Sequence, residues 1–419
     1  MASIVDGQDL RGSLTTRGLA RRGFRGFVVA GVVVAAVAGL ASPPVGAAEV
    51  DRLVWFGTYT GGPAGSEGIY VSRFDATAGT LSPPVLAARA KNPSFLALHP
   101  RLPMLYAVSE VADADGKPAG AVLAFSINAA DGTLAAVNHQ PSGGKGPCHV
   151  SVDPTGRAVL AANYGGGSVI ALGVADDGSL RPVAAAGGGP GGFIQHEGHS
   201  VNPQRQEGPH GHSINPTADG RFAIACDLGL DKVFVHALDA ARATLAAHAH
   251  ATVKAGAGPR HFAFHPDGRR GYAVNELDLT VTAFDFDPAA GTLAPVQTLS
   301  TLPADVTDTK GFSTAEIVAH PGGRFVYASN RGHDSIAMYA VDAATGRLAF
   351  LGVEPIRGQV PRNFAIDPSG RFLLAAGQKS DTVTVFAIDP QTGRLSFTGH
   401  TLPVPAPVCI RFQPARPAP

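Results

Sequence analysis

The 419-residue sequence is poor in cysteine, carries no net charge and has no apolar run long enough to span a bilayer. Its three cysteines, Cys148, Cys226 and Cys409, are odd in number and too few for a disulfide framework, so we expect small buried side chains and not nucleophiles. Lys plus Arg equals Asp plus Glu at 33 each, which excludes a strong field for nucleic acid or anionic membranes. The apolar run Phe27–Leu40 has 14 residues, whereas a membrane-spanning helix needs about 20.

Glycine and proline are abundant, and they punctuate a repeat whose clearest copy is residues 259–284. There Phe262 and Tyr272 lie in short runs rich in aromatic and β-branched residues, which are typical of strands. The segment Pro266–Gly268 between these runs has the residues of a tight turn. A third strand follows and closes on Asp287, Gly291, Thr292 and Leu293, and a short fourth strand can come after it. The repeat unit is therefore four short strands.

Two markers of this unit each occur seven times. The turn prolines are Pro100, Pro154, Pro216, Pro266, Pro321, Pro368 and Pro414. The leucines that end a D-x-x-x-G-x-L-like segment are Leu81, Leu134, Leu180, Leu245, Leu293, Leu348 and Leu395. A leucine precedes the first proline and none follows the last proline, so the repeat is circularly permuted.

Four short strands in each repeat of roughly 40 to 50 residues are typical of a propeller blade, so the sequence predicts an all-β, seven-bladed β-propeller. The permutation predicts ring closure: the C-terminal strand Val408–Phe412 would be the inner strand of a blade whose outer strands come from Leu53–Ala90. An open β-solenoid or a pair of β-sandwiches is the alternative. We assign the propeller to residues 49–419.

Residues 1–48 do not share the repeat. A basic region with the pair Arg21-Arg22 precedes the apolar run, and small residues ending at Ala48 follow it, as in a secretory signal peptide. The arginine pair resembles a twin-arginine signal, for which an ordinary signal or an uncleaved anchor is the alternative. We therefore expect export by the twin-arginine or general export machinery, a periplasmic or secreted location, and no membrane attachment after cleavage.

The longest step between turn prolines, from Pro154 to Pro216, contains a polar, glycine-rich insertion over residues 187–212. Long loops on a rigid scaffold are where binding residues concentrate. We expect disorder over Gly187–Gly192 and a functional segment over Gln204–His212. Four titratable or charged residues crowd into that segment: Arg205, Glu207, His210 and His212.

Polar residues recur where the inner strand of each blade begins, five positions before the turn proline. The residues there are Phe95, His149, Gly211 (flanked by His210 and His212), His261 (after Arg260), Glu316, Asn363 (after Arg362) and Cys409. The loop after the second strand lies at the same end of a blade, which adds Asn163-Tyr164, Asp227-Leu228, Asn275-Glu276 and Asn330-Arg331. We expect these residues around one mouth of the channel, where carboxylates, guanidiniums and imidazoles can activate water and hold an oxyanion.

Residues 53–413 also contain the strings NPSFLALHP, PCHVSVDP, ANYGGGSV, RQEGPHGH, DLGLDKV, GAGPRHFAFHPDG, NELDLTV, AEIVAHP and SNRGHDSI. These strings resemble the seven-bladed bacterial 6-phosphogluconolactonases, whose lactonase family includes the fungal carboxy-cis,cis-muconate cyclases. The resemblance implies a propeller enzyme that opens or forms a lactone at the channel mouth without a metal or another cofactor.

The resemblance assigns catalysis to four residues: His212 of PHGH, Arg260 of GPRH, Glu276 of NEL and Arg331 of SNRG. Five further residues match family strings and are expected to bind substrate: His149, Arg205, His210, His261 and Glu316. A metal site built from His210, His212 and Glu207 is an alternative, for which an H-x-H pattern is weak support.

The mechanistic hypothesis is hydrolysis of a sugar δ-lactone. Glu276 or His212 would act as the base on water, and Arg260 with Arg331 would stabilise the oxyanion, because a guanidinium binds planar oxyanions bidentately. The substrate 6-phosphogluconolactone is cytoplasmic, so the export signal favours an unphosphorylated aldonolactone such as gluconolactone, and Arg205 and Arg362 need not bind phosphate. The alternatives are a non-catalytic binding propeller and a cycloisomerase acting on an unsaturated dicarboxylate.

Overall fold

Residues 51–113, 119–184 and 191–414 are described by the computed structural model. In these ranges the backbone forms strands and turns and contains no helix. Accordingly, no helical segment of this part of the chain could cross a membrane. The predicted signal peptide and the segment Gly187–Pro190 lie outside the described residues, so the signal and the disorder predicted for that segment stay predictions.

The described chain has 29 strands. The first four are β1 (Arg52–Thr58), β2 (Gly68–Asp75), β3 (Thr80–Leu81) and β4 (Val85–Arg89). Blade 1 contains β5 (Leu96–Leu98), β6 (Met104–Ser109), β7 (Ala121–Ile127) and β8 (Leu134–Pro141). Blade 2 contains β9 (Pro147–Val152), β10 (Ala158–Asn163), β11 (Ser168–Gly173) and β12 (Phe193–Gln195). Blade 3 contains β13 (Gly211–Pro216), β14 (Phe222–Asp227), β15 (Lys232–Asp239) and β16 (Thr244–Thr252).

The second half repeats the arrangement. Blade 4 contains β17 (Pro259–Phe264), β18 (Arg270–Asn275), β19 (Thr280–Asp287) and β20 (Thr292–Ser300). Blade 5 contains β21 (Ser313–Ala319), β22 (Phe325–Arg331), β23 (Ser335–Val341) and β24 (Leu348–Pro355). Blade 6 contains β25 (Pro361–Ile366), β26 (Phe372–Gly377), β27 (Thr382–Ile388) and β28 (Leu395–Pro403). The last strand is β29 (Pro407–Phe412).

Blade 7 joins the two ends of the propeller. Strand β29 pairs antiparallel with β1, which pairs with β2, and β2 pairs with both β3 and β4. In the register of the closing pair, Phe56 lies opposite Ile410 and Gly57 opposite Cys409. The inner strands of successive blades are neighbours around the ring, and β29 lies beside β5. The predicted seven-bladed β-propeller and its closure are confirmed, and the solenoid and sandwich alternatives are wrong.

Burial falls from the second strand of a blade to the fourth. Every residue of β6, β10, β14 and β26 is buried, because both faces of these strands pack against neighbouring blades. The fourth strand, by contrast, alternates between exposed and partly buried residues, as in β8. Short runs of Ala, Val, Leu and Ile therefore specify the second strand, whereas the edge strands alternate apolar and polar residues.

The turn after each inner strand also joins neighbouring blades. At three junctions a histidine before the turn proline donates its Nε2–H, over 2.8 to 3.0 Å, to the carbonyl of a turn glycine in the next blade. The pairs are His99 with Gly156, His265 with Gly323 and His320 with Gly370. These glycines have φ between 71° and 77°, which favours glycine over residues with a Cβ. The turn motif counted in the sequence is thus also an interblade contact.

The turn predicted at Pro216 is wrong by two residues. Pro216 is the last residue of β13, and the tight turn follows at 218–220. The backbone amide of Thr217 donates to the carbonyl of Phe222, just as the amide of His265 donates to the carbonyl of Arg270 in the next blade. Thr217 is therefore equivalent to His265. Ser213, not Gly211, therefore occupies the position of His261, and His212 occupies the position of Arg260.

The insertion in blade 2 is ordered where it is described, which makes the disorder predicted for Gly191 and Gly192 wrong. Gly191 forms a β-bridge with Leu245 of the next blade, and the amide of Gly192 donates to the carbonyl of Ala184. Strand β12 follows at once and is the outer strand of blade 2. The residues after it, 196–210, then return across the end of blade 3 to β13.

We expect Ile410→Ala to weaken the ring, because Ile410 is fully buried against β1 and the blade 6 core. A buried Ile-to-Ala change costs roughly 2 to 5 kcal/mol of unfolding free energy. The control Val85→Ala removes a side chain that is 58% exposed on β4 and should cost no more than about 0.5 kcal/mol. Urea unfolding of the two variants measures the difference, and equal losses would contradict the assigned closure.

Candidate active site

A bulge at the start of the inner strand turns one side chain out of the ladder in most blades, at the end of the sheet that surrounds the channel mouth. In five blades the pairing with the second strand skips one residue, which leaves that residue out of the ladder and re-aims it. We call this the bulge position. Its residues in those blades are Cys148, His212, Arg260, Arg362 and Val408. Three of the five are basic side chains.

A second repeated position surrounds the same mouth. The residue that follows the second strand, or in blade 5 the last residue of that strand, lies at the end of the sheet where the inner strand begins, and we call it the strand-exit position. Its residues are Tyr59, Glu110, Tyr164, Leu228, Glu276, Arg331 and Gln378. Six of these amides donate to a backbone carbonyl just before the neighbouring inner strand, so the position is structurally equivalent around the ring.

The carboxylate of Glu276 is the centre of the charged cluster at this mouth. Its Oε2 lies 3.0 Å from Arg260 Nε and 2.9 Å from Arg331 Nη2. Its Oε1 accepts a 2.7 Å hydrogen bond from Arg205 Nη2, which belongs to the insertion. Burial would raise the pKa of this carboxyl, but Arg331, Arg260 and Arg205 outweigh burial and hold the pKa at about 2. Glu276 is therefore ionised throughout the physiological range.

His212 completes the predicted quartet. Its Nε2 lies 3.9 Å from Glu276 Oε2, and the side chain is only 4% exposed. Burial, with the nearby positive charge of Arg260, holds the pKa of His212 well below its ordinary value of 6.5. The imidazole is thus neutral at pH 7 and has one nitrogen free to accept a proton. The structure brings His212, Arg260, Glu276 and Arg331 together, as predicted.

The insertion places Arg205 beside the cluster, and the buried Asp227 fixes the position of the insertion. Asp227 accepts a 2.7 Å hydrogen bond from His196 Nδ1 and a 2.8 Å bond from the amide of His210. Both ends of the 196–210 segment are therefore attached to one carboxylate. Arg205 then donates to Tyr164 as well as to Glu276, at 3.1 Å and 2.7 Å.

His149, His261 and Glu316 lie deeper in the channel than the Glu276 cluster. His261 Nδ1 donates to Glu316 Oε1 at 2.8 Å, and His261 Nε2 accepts from Arg260 Nη1 at 3.1 Å. Burial lowers the pKa of His261 to about 4, although Glu316 acts in the opposite direction. Because the ring is neutral and both nitrogens are used, His261 positions Arg260. His149 packs against the rings of His261 and Phe95 at centroid distances of 5.4 and 4.3 Å.

His210 and His212 diverge, which disfavours the metal alternative. The ring of His210 stacks on Tyr164 at 4.5 Å, and its Nε2 lies 3.5 Å from Glu207. His212 instead faces Glu276 and Cys148. Among the residues that the structure describes, no three His, Cys, Asp or Glu side chains are grouped so as to hold a metal ion.

Cys148 has a histidine neighbour but lacks the environment of a nucleophile. Its Sγ lies 3.5 Å from His212 Nδ1 and 3.4 Å from the backbone carbonyl of the same residue. Burial raises the pKa of the thiol to about 12, so the thiolate is not populated at neutral pH. Cys148 is thus a buried packing residue, as the sequence predicts for all three cysteines, which are free and buried.

Tyr59 and Glu110 also lie at the mouth, although neither is among the residues predicted there, and Arg362 has no predicted role. The Tyr59 hydroxyl donates to Glu110, at 3.0 and 2.9 Å from the two carboxylate oxygens, and the Arg362 guanidinium lies over the Tyr59 ring at 5.4 Å. Both residues follow second strands, so the strand-exit position of the repeat, extended from blades 2 to 5 to blades 1 and 7, predicts Tyr59 and Glu110 at the mouth.

Comparisons with known proteins agree with this architecture. The sequence matches the family described as "Lactonase, 7-bladed beta-propeller" over residues 53–412. It is 40% identical over 360 residues to the 6-phosphogluconolactonase of Bacillus subtilis, covering 85% of this chain and 97% of that protein. It is 33% identical to the 6-phosphogluconolactonase of Formosa agariphila, covering 75% and 86%. The solved periplasmic gluconolactonase of Pseudomonas aeruginosa has a TM-score of 0.78 at 35% identity, covering 87% of this chain and 99% of that one.

We expect Glu276→Gln to destabilise the propeller, because the change leaves three guanidiniums without their shared carboxylate. Removing one partner of a buried ion pair costs about 3 to 5 kcal/mol. The control Glu67→Gln breaks the exposed pair with Arg89 and should cost less than about 1 kcal/mol. Urea unfolding measures both changes. A loss for Glu276→Gln no larger than that of the control would show that Glu276 does not organise the mouth.

Proposed function

The chain belongs to the lactonase family of seven-bladed β-propellers, and we propose that it is an exported lactone hydrolase that opens an unphosphorylated aldonolactone to the aldonic acid. The observation that carries this proposal is the set of guanidiniums fixed around Glu276. Hydrolysis of a lactone develops negative charge on the carbonyl oxygen, and donors already held in place stabilise that charge without reorganising.

Arg331 is the residue best prepared to meet the oxyanion. Its Nη2 is occupied by Glu276 and by the carbonyl of Thr314, at 2.9 and 2.7 Å. Its Nε is buried and has no hydrogen-bond acceptor among the described residues. A buried donor without a partner is costly, so its presence beside the cluster favours a ligand oxygen as the missing acceptor.

His212 is the better candidate for the general base, and Glu276 is the residue that supports it. The carboxylate already accepts from three guanidiniums and has a pKa of about 2, so it has little tendency to take a proton. The neutral imidazole of His212 can remove a proton from water, and Glu276 offsets the positive charge that His212 then gains.

The bond changes follow from these roles. Water adds to the carbonyl carbon while His212 takes one of its protons and the arginines hold the oxyanion. The tetrahedral intermediate then breaks the acyl bond to the ring oxygen, which receives the proton back from His212. The products are a free hydroxyl and a carboxylic acid, and the acid releases its proton to solvent as the aldonate forms.

The predicted export of the chain is consistent with the proposed unphosphorylated substrate. The segment over residues 1–48 has the features of a signal peptide. A similar protein of solved structure is named a periplasmic gluconolactonase. Phosphorylated sugar lactones are cytoplasmic intermediates, so an exported enzyme of this family would meet unphosphorylated lactones.

A cycloisomerase acting on a dicarboxylate is the second candidate. The positive charge of the channel mouth is the observation that favours it. Four guanidiniums, those of Arg205, Arg260, Arg331 and Arg362, face the carboxylates of Glu276 and Glu110. The excess of positive charge suits an anionic substrate as well as an anionic product. Turnover of muconates without turnover of aldonolactones would establish this candidate.

We expect the purified propeller to open gluconolactone faster than the spontaneous reaction and faster than it opens 6-phosphogluconolactone. His212→Asn should lower kcat/KM by roughly 10²- to 10⁴-fold, as loss of a general base does. The control His250→Asn changes an exposed histidine on β16 and should keep the full rate. Proton release followed by pH-stat measures all three proteins. No rate above background on either lactone would overturn the proposal.

The same assay tests the protonation of His212. Because its pKa lies well below 6.5, the unprotonated base persists as the pH falls through 6.5, and kcat/KM should decline only at clearly lower pH. An acid limb centred at or above pH 6.5 would contradict a buried, neutral His212 as the base.

We expect the full-length chain, produced in a bacterium, to be processed and recovered outside the cytoplasm. Replacing Arg21 and Arg22 by lysine should hold the chain in the cytoplasm if the twin-arginine route is used. Fractionation with immunoblotting measures both outcomes. Equal export of the two forms would indicate the general route, and retention of the unaltered chain would overturn the proposed location.

A further inference from the structure

Arg362 is a basic residue at the channel mouth that the mechanism above does not use. It occupies the bulge position of blade 6, equivalent to Arg260 in blade 4 and His212 in blade 3. Arg260 is held by Glu276, His261 and the carbonyl of Ala315. Within the described residues the guanidinium of Arg362 forms no hydrogen bond and no ion pair, and it lies over the ring of Tyr59 at 5.4 Å from the ring centroid.

The nearest carboxylate is already engaged elsewhere. Glu110 accepts from the Tyr59 hydroxyl at 2.9 and 3.0 Å and also from the hydroxyl of Ser94. It does not come within ion-pair distance of Arg362 in the described structure. None of the side-chain nitrogens of Arg362 is among the fully buried polar atoms that lack a partner, so these donors are open to water or to a ligand that enters the channel.

A small cavity lies against this guanidinium. It has a volume of about 10 Å³ and is lined by Ser94, Phe95, Glu110, Cys148, Arg260, His261, Arg362 and Val408. A volume of this size holds about one water molecule. The cavity therefore has room for one oxygen atom of a ligand group, and the rest of the ligand would lie in the channel. Two guanidiniums and one engaged carboxylate give it a positive charge, and Arg260 connects it to the Glu276 cluster.

We propose that Arg362, with Arg260 beside it, forms an oxyanion subsite that binds the carboxylate of the aldonate. This inference rests on the proposed function, because ring opening of a neutral lactone is what creates the carboxylate. Guanidinium donors match the planar carboxylate bidentately. The subsite would favour the product over the neutral lactone, so the enzyme is inhibited by its own product. Arg362 then determines affinity for the anion and contributes little to binding of the neutral substrate.

Binding of gluconate, measured by isothermal titration calorimetry, tests the proposal without turnover. Arg362→Met should weaken gluconate binding by about 10- to 100-fold, the effect of losing hydrogen bonds to a charged group. Arg362→Lys keeps the charge and should lose less. The control Arg347→Met changes an exposed arginine and should bind gluconate as the unaltered protein does. Sorbitol, which lacks the carboxylate, should show no dependence on Arg362.

Thermal unfolding separates the subsite from a structural role. Because Arg362 has no hydrogen bond or ion pair to lose and contacts the Tyr59 ring, Arg362→Met should lower the unfolding temperature without ligand only slightly. Gluconate should raise the unfolding temperature of the unaltered protein and not that of the variant. If Arg362→Met does not fold, Arg362 has a structural role and the proposal is overturned unless Arg362→Lys folds and still binds gluconate more weakly.

The remaining outcomes are distinct. Gluconate binding within twofold of the unaltered protein in Arg362→Met overturns the subsite, even if lactone hydrolysis is normal. Arg362-dependent binding of gluconate by a protein that opens no lactone retains the subsite and overturns the proposed hydrolysis. If inorganic phosphate or 6-phosphogluconate binding depends on Arg362 while gluconate binding does not, the subsite binds phosphate and the assignment to a carboxylate is wrong.

Discussion

Closure of the ring by β29 and β1 is the constraint on which the rest of the structure depends. Only when seven blades form a closed ring do their inner strands begin around one narrow channel. Side chains that are about 50 residues apart in sequence then meet at that mouth. The closing pair also leaves neither terminal strand of blade 7 as an open edge, which avoids edge-to-edge association. The contact between blades 7 and 1 is reinforced by Trp55, whose indole donates to the carbonyl of Gly132 at 2.9 Å.

The closed ring gives a functional role to the bulge that is repeated at the start of the inner strands. A bulge at the start of the inner strand turns one side chain out of the ladder, and in most blades this would be a minor feature. In blades 3 and 4 it carries His212 and Arg260, and the strand-exit residue Glu276 lies between them. One carboxylate thus holds several guanidiniums at fixed positions. Their mutual repulsion is offset by Glu276, and the buried Nε of Arg331 has no acceptor among the described residues.

Much of the fold could be predicted, because the markers of the repeat are local. A turn needs proline, aspartate and glycine at fixed offsets, and a strand needs alternating or buried apolar residues. Both patterns can therefore be counted along the sequence. The error at Pro216 shows the limit of that count. Proline can end a strand as well as open a turn, and only the pairing of Thr217 with Phe222 distinguishes the two. The two-residue shift decides that Ser213, not Gly211, is equivalent to His261.

The sequence by itself determined the number of blades, the closing strand and several of the polar residues at one end of the channel, because strand period and turn chemistry are properties of neighbouring residues. The tertiary structure alone decided which charges meet. It placed Arg205 of the insertion on Glu276, set His149 and Glu316 below the mouth, and left Arg362 over the ring of Tyr59 without a direct ion pair among the described residues. Such pairings depend on distances across the channel, which the spacing of residues along one chain does not specify.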